Sequence, residues 1–290
     1  MAGLALIALA AMLWGTSGSV MAVLAERATT SPLLVAVSRL WLAALLLLVA
    51  ALVTGRSLAV AHRDRWRCVA MGACMAAYQV AYFPAVTLSG IAIVALVAIC
   101  SAPLVIAGLA SWLLGEHLTG RVRVALGLGV IGTALLVAAP SGRFDASARF
   151  VGGMLLALAA GLAYALYVVA AKSSLARSAP LPLAALTFTV GAVLVTPALL
   201  WTRAPIGQQL GLGWPWLLYL GAVATAGAYA MYTVGLRRVP ASVAGVTTLI
   251  EPLTATILAV ALFGERLGVG GGLGAVLLVS ALGLLITDRR

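Results

Sequence analysis

Charge is what this sequence has least of. Only 9% of its 290 residues are Asp, Glu, Lys or Arg, against about a quarter in a soluble globular chain. Acids are the scarcer sign, seven Asp and Glu against 18 Lys and Arg. With 64% of the residues hydrophobic, too little polar surface remains to dissolve a folded domain in water, and the soluble classes are excluded. Histidine occurs twice, as His62 and His117, and cysteine three times, as Cys68, Cys74 and Cys100. An odd number of cysteines at or within apolar runs gives no disulfide framework, and the thiols read as small buried hydrophobes. Neither a Cys/His cluster nor paired carboxylates occur in the apolar runs, so no metal and no cofactor is expected. The lack of a phosphate-binding glycine loop disfavours an ATP-driven pump.

What is present is a succession of apolar runs. A bilayer core about 30 Å thick needs roughly 20 mostly apolar residues per helix, and runs of that length fall at about 2–25, 32–53, 68–88, 91–113, 123–139, 151–171, 181–200, 214–236, 241–262 and 269–287. The chain therefore reads as an all-α integral membrane protein of ten transmembrane helices. The first run is kept as a helix and not a signal peptide, because no basic stretch precedes it and Trp14-Gly15-Thr16-Ser17 interrupts it.

The net charge of +11 could suggest nucleic acid as a partner, but the bases sit in short connections between apolar runs, where a positive-inside bias puts them. Placing the connection 54–67, with Arg56, Arg63, Arg65 and Arg67, in the cytoplasm gives that side twelve bases and the other five. Both termini are then cytoplasmic, nucleic acid is excluded, and the remaining contacts expected are a small-molecule substrate and membrane lipid. The chain is expected as a monomer or a homodimer.

An internal repeat recurs at a constant offset of 149 residues. Ala8-Leu9-Ala10-Ala11 matches Ala157-Leu158-Ala159-Ala160, Gly72-Ala73 matches Gly221-Ala222, and Pro103 to Leu118 matches Pro252 to Leu267 at eight of 16 positions. Residues 1–139 and 151–290 are two five-helix repeats, and 140–150 is the linker. Five helices per half is an odd number, so the second half enters the membrane inverted. Inverted repeats are a recurrent plan of secondary transporters, whose substrate site lies near the midplane and whose access alternates.

On Trp14-Gly15, Arg39, Pro103-Leu104 to Gly115-Glu116 and Glu251-Pro252-Leu253 to Gly264-Glu265, the chain resembles the drug/metabolite transporter superfamily in its ten-helix EamA-type form, including its aromatic amino-acid exporter branch. The resemblance implies a central cavity walled by helices 1, 3, 4, 6, 8 and 9, with helices 5 and 10 peripheral. It also implies residence in a bacterial inner membrane and export of amino acids, metabolites or drugs.

Apart from Arg123 at the edge of the fifth span, Arg39 and Glu251 are the only formally charged side chains within the ten spans, and ionisable groups at membrane depth usually face a protein interior or a water-filled cavity. Glu251 lies about 15 Å into helix 9 at 1.5 Å per residue. It reads as a proton-coupling or substrate-amine site, or as a carboxyl fixing helix packing beside Pro252. Arg39 has the planar fork that suits a carboxylate. Helix 2 is peripheral in the family picture, however, and a structural or snorkelling role is the favoured reading for Arg39.

Tyr78 and Tyr82, Tyr164 and Tyr167, and Tyr229 and Tyr232 form i, i+4 and i, i+3 pairs. With Trp14, they point to an apolar cavity with a few phenol tips, or to ordinary core packing. Substrate-binding candidates are Trp14, Tyr78, Tyr82, Ser101, Tyr164, Tyr229 and Tyr232; Gln79 is expected to bridge helices instead. Pro103 and Pro252 are candidate hinges. Gly115-Glu116 and Gly264-Glu265 read as turns in which Gly ends one helix and Glu serves the start of the next. Gly127, Gly129, Gly132, Gly270 and Gly274 read as close packing in helices 5 and 10.

The expected function is export of small amphipathic solutes by alternating access, aromatic or hydrophobic amino acids first and drugs or other metabolites second. An intramembrane enzyme acting on lipid head groups is the alternative from another class, and it would need converging acids, bases or metal ligands that the spans do not supply.

Overall fold

The computed structural model describes residues 1–28, 30–55, 57–60, 62–137, 147–201, 205–264 and 268–287. Its membrane helices are α1 (Ala2–Ala28), α2 (Pro32–Val53), α3 (His62–Ser89), α4 (Ile91–Leu114), α5 (Gly120–Val137), α6 (Ala148–Ser174), α7 (Pro180–Val195, continued by a 3₁₀ turn Thr196–Trp201), α8 (Ile206–Arg238), α9 (Ala241–Thr247 and Ile250–Phe263) and α10 (Val269–Thr287). No strand occurs among the described residues. Among the described residues nine of these helices are long and apolar enough to cross a membrane by length and composition; α5, of 18 residues, falls short of that measure.

Several helices outrun the apolar spans. The helix α3 begins at His62 and α8 at Ile206; for α3 the added residues, His62 to Arg67, are mostly charged or polar residues that a helix tolerates outside the hydrocarbon. Most of the expected linker lies outside the described residues. Its last residues are already helical, since Ser147 caps α6 by accepting from the Phe150 N–H at 3.3 Å.

One stripe of each helix is buried and the other meets lipid. On α1, Ile7, Ala10, Ala11 and Trp14 are buried at i, i+3, i+4, i+7 while Leu9 and Met12 are exposed. Helices in lipid gain no hydrophobic drive from one another, so close contact between small residues has to hold them. A Cβ on Gly72 would stand 2.6 Å from Val190 of α7, and one on Gly221, 149 residues on, would stand 2.5 Å from Leu42 of α2. The same crossing is thus used once per half. The larger pattern repeats it: α6 packs on α3 and α4 as α1 packs on α8 and α9, while α2 pairs with α7 and α5 with α10. That is the two-fold relation of inverted five-helix repeats. Gly132 and Gly274 bring α5 onto α10, but Gly127 and Gly270 face open space, so close packing does not account for them.

Prolines act unequally. The helix α4 runs unbroken through Pro103, whereas α9 is interrupted at Thr248–Leu249, where the carbonyl of Thr248 is the one that Pro252, lacking an N–H, leaves without its i+4 partner. The helix is interrupted at the second of the two repeat-related prolines and continuous at the first.

The end that carries both termini is closed by polar contacts between segments distant in sequence. Gly115 and Gly264 end α4 and α9 in the left-handed region at φ 66° and 68°, as the turn reading expects. The following Glu116 departs from that reading. Its carboxylate does not serve α5; it accepts from the Ala241 N–H at 2.6 Å, the Ser242 N–H at 3.0 Å and the Ser242 hydroxyl at 2.7 Å, capping α9 in the other half. Glu265 lies outside the described residues. Lys172 of α6 donates to the carbonyls of Leu236 and Val239 at the end of α8, at 2.9 and 2.6 Å. Asp64, fully buried, accepts from Arg67, Arg177 and Ser178 and ties α3 to the α6–α7 turn. Both arginines are about two-fifths exposed, so Asp64→Ala is expected to cost about 1–2 kcal/mol. Thermal unfolding in detergent measures it, and an unchanged midpoint would show this tie to be incidental.

Candidate functional site

Six aromatic side chains from α1, α6, α7 and α8 meet near the middle of the bundle, and α3 adds two. Trp14 lies 4.8 Å from Tyr229, 5.2 Å from Tyr232 and 6.4 Å from Tyr164 between ring centroids. Tyr78 stacks on Tyr82 at 5.6 Å and reaches Tyr164 at 6.3 Å. Tyr167 contacts Tyr164 and Tyr229, and Phe188 of α7 contacts Tyr229 at 4.6 Å. All six aromatic substrate candidates thus fall in one connected cluster.

The cluster has a closed floor and an open face. Trp14, Tyr167, Tyr229 and Tyr232 are buried, while Tyr78, Tyr82, Tyr164 and Glu251 are partly accessible. Tyr232 and Tyr167 lie about 10 Å from the ends of their helices on the terminus-bearing side, and Tyr82 lies about 30 Å from that end of α3. The fully buried rings thus lie toward the termini, and the partly accessible ones lie toward the opposite side. Among the described residues, Trp14 Nε1 and the Tyr167 hydroxyl are buried without a hydrogen-bond partner. Unpaired donors cost free energy in a dry interior.

Ser101 does not join this group. Its hydroxyl donates to the Ala98 carbonyl at 3.3 Å and lies against Gly161 of α6, which makes it a packing residue between α4 and α6. Gln79 is buried within the bundle. Thr247, Thr248 and Thr254 return their hydroxyls to carbonyls of their own helix.

Glu251 stands just past the break in α9, beside Gly15 of α1, whose lack of a side chain lets the two backbones touch. Its carboxylate takes part in no hydrogen bond or ion pair among the described residues. Arg39 departs from the peripheral role expected of it. It reaches from α2 to the middle of α8, where Nε donates to Thr225 Oγ1 at 3.1 Å, and its charge acts on Glu251, Tyr78, Tyr82 and Tyr229. Thr225 lies in a π-helical turn, Ala222–Gly227, and its hydroxyl donates to the Leu220 carbonyl five residues back at 2.6 Å. Such wide turns free backbone groups and are frequent at functional sites.

Phe188 and the inward aim of Arg39 were both missed by reading the sequence one helix at a time. A signal for both exists, because residue 188 is residue 39 plus the 149-residue offset: equivalent positions of α2 and α7 point at the same centre. A separate apolar groove of about 540 Å³ between α2, α7 and α8, lined by Trp41, Leu45, Trp214 and Leu218 among others, lies outside the ring cluster on the lipid-facing surface.

Known proteins resemble the chain along its full length. The family description "EamA-like transporter family" matches residues 1–138 and 151–287. An uncharacterized transporter of Bacillus subtilis, YwfM, is 38% identical over 285 residues, covering 97% of this chain and 91% of its own. An uncharacterized transporter of Archaeoglobus fulgidus is 27% identical over 180 residues, covering 62% of this chain and 61% of its own. A crystal structure described only as that of a protein superposes with a TM-score of 0.84 at 22% identity, covering 99% of this chain and 98% of that one; at that identity the likeness is one of fold.

Proposed function

The chain belongs to the EamA-like transporter family and is a multi-pass membrane transporter; from that premise we propose that it exports aromatic and hydrophobic amino acids by alternating access. The observation that carries this reading is the cluster around Trp14, whose ring lies within 6.4 Å of three tyrosines beside the Glu251 carboxylate, which has no hydrogen-bond or ion-pair partner among the described residues. Aromatic walls hold a flat apolar side chain by stacking, and phenol hydroxyls orient it. With both termini in the cytoplasm of a bacterial cell, as the bias of basic residues favours, the buried rings lie on the cytoplasmic side of the cluster and the partly accessible ones on the outer side.

Glu251 is the coupling carboxyl in this reading. A buried acid holds a proton or the substrate ammonium but not both, which converts proton entry into substrate exit. In proteoliposomes, labelled phenylalanine is expected to move faster when the two compartments differ in pH, and Glu251→Gln is expected to remove that acceleration while downhill counterflow continues. Absence of flux for any aromatic or hydrophobic amino acid would refute the substrate class; flux of drug-like cations instead would move the assignment to that class. Trp14→Ala is expected to raise KM for phenylalanine about tenfold, the loss of one stacked ring with its buried area, and unaltered uptake kinetics would remove the ring cluster from the binding site.

A further inference from the structure

We propose that Arg39 is the subsite for the substrate's carboxylate, so that the cavity recognises a zwitterion between two poles, Arg39 and Glu251. This rests on the amino-acid reading above and adds to it the group that separates amino acids from simple amines.

The starting point is an uncompensated cation at membrane depth. Arg39 lies seven residues into α2, about 10 Å from the end of the helix, where a guanidinium is costly unless something answers its charge. Its one protein partner among the described residues is the neutral hydroxyl of Thr225, bound through Nε at 3.1 Å. That bond orients the group without neutralising it. No ion pair joins Arg39 to Glu251 among the described residues, although Glu251 lies within electrostatic range of Arg39. Both residues are partly accessible, so each charge is left for another partner.

The anchoring leaves the useful edge of the guanidinium free. With Nε held by Thr225, the two terminal amino groups are the donors that remain, and together they form the fork that takes both oxygens of a carboxylate in parallel bonds. Thr225 is fixed in its turn, because its hydrogen is committed to the Leu220 carbonyl and its oxygen faces Arg39 with a lone pair. The π turn that carries Thr225 leads within a few residues to Tyr229, in contact with Trp14. Carboxylate, ring and ammonium of one amino acid would thus be met by Arg39, the aromatic cluster and Glu251.

The repeat supports the assignment. The position equivalent to Arg39 is Phe188, buried and packed on Tyr229, so this site on the paired helices α2 and α7 aims at the centre in both halves. One half supplies an apolar ring there and the other a charge.

The test measures equilibrium binding to purified wild type, Arg39→Gln and Thr225→Val with three probes: L-phenylalanine, phenethylamine, which lacks the carboxylate, and 3-phenylpropionate, which lacks the ammonium. In Arg39→Gln, phenylalanine and phenylpropionate are expected to weaken by about tenfold to a hundredfold, as for loss of a charged hydrogen-bond pair, with phenethylamine unchanged. Thr225→Val, which releases the anchor and keeps the charge, is expected to weaken the same two probes by a smaller factor, and it serves if Arg39→Gln fails to fold. Equal weakening of all three probes, or no change in any, would overturn the proposal and return Arg39 to a packing role. Wild type that binds phenylpropionate in an Arg39-dependent manner but not phenylalanine would leave the anion subsite standing and refute the amino-acid reading; wild type that binds none of the three refutes both.

Discussion

Gly15→Val is expected to abolish transport and to destabilise the protein by about 3 kcal/mol, the upper part of the range for overpacking a tight interface. A Cβ at this position would lie 2.6 Å from the Glu251 carbonyl oxygen and 2.7 Å from the Thr254 Cβ. Neither atom is the far end of a flexible side chain, so relief requires α1 and α9 to part. They would part beside the break in α9, where Glu251 is displayed and where Trp14, the preceding residue, holds the ring cluster together. Gly15→Ala is expected to show the same loss at smaller amplitude. Melting in detergent and counterflow in vesicles give the two readouts; wild-type values for the valine variant would mean that α1 and α9 do not cross at this point.

Glu116→Ala is expected to open the terminus-bearing end. The substitution strands two backbone N–H groups, of Ala241 and Ser242, and the Ser242 hydroxyl, all now answered by one carboxylate. A helix cap of this kind with charged hydrogen bonds contributes about 2–3 kcal/mol, which corresponds to a shift of roughly 30- to 150-fold in a two-state equilibrium. Because Glu116 follows α4 and its partners begin α9, the loss falls on the contact between halves and so on the balance of access states. Ser174 is fully buried at this end. In a background with Cys68, Cys74 and Cys100 replaced, Ser174→Cys should react with a maleimide at least about tenfold faster when Glu116→Ala is added. Glu116→Gln, which keeps an acceptor oxygen, should fall between. Equal labelling rates in all three backgrounds would show that closure does not depend on this cap.

Much of the fold was legible because its determinants are one-dimensional. Run lengths of apolar residues against the thickness of a bilayer yield the helices, and the 149-residue offset with five helices per half yields the inversion. Gly72 and Gly221, matched in the sequence, prove to be the same crossing in each half. Helix ends were less legible, since α3 and α8 continue through residues that hydropathy alone assigns to loops.

The site divides in the same way. That tyrosines at i, i+3 and i+4 with Trp14 would gather is a consequence of helical periodicity once their helices surround one axis. Ser101 satisfies the same periodicity, yet it is taken up by Gly161 and its own helix, because a short hydroxyl bonds to whatever carbonyl is nearest. Glu116 was misjudged, and the helix that Arg39 reaches was missed, for the converse reason. Each has a side chain long enough to act on a helix far away in the chain, and which helix that is depends on neighbours brought by folding.

The sequence by itself determined that this protein spans a membrane as two inverted five-helix repeats, with one acid and one base held at depth. Only the tertiary structure decided what those rare polar groups do. It turned Arg39 onto Thr225, left Glu251 beside Gly15 without an ion pair among the described residues, and carried Glu116 across to cap α9. The physical reason is range: burial and helix periodicity act on each residue through its own segment, whereas a hydrogen bond is set within about 3 Å by partners that may be a hundred residues away.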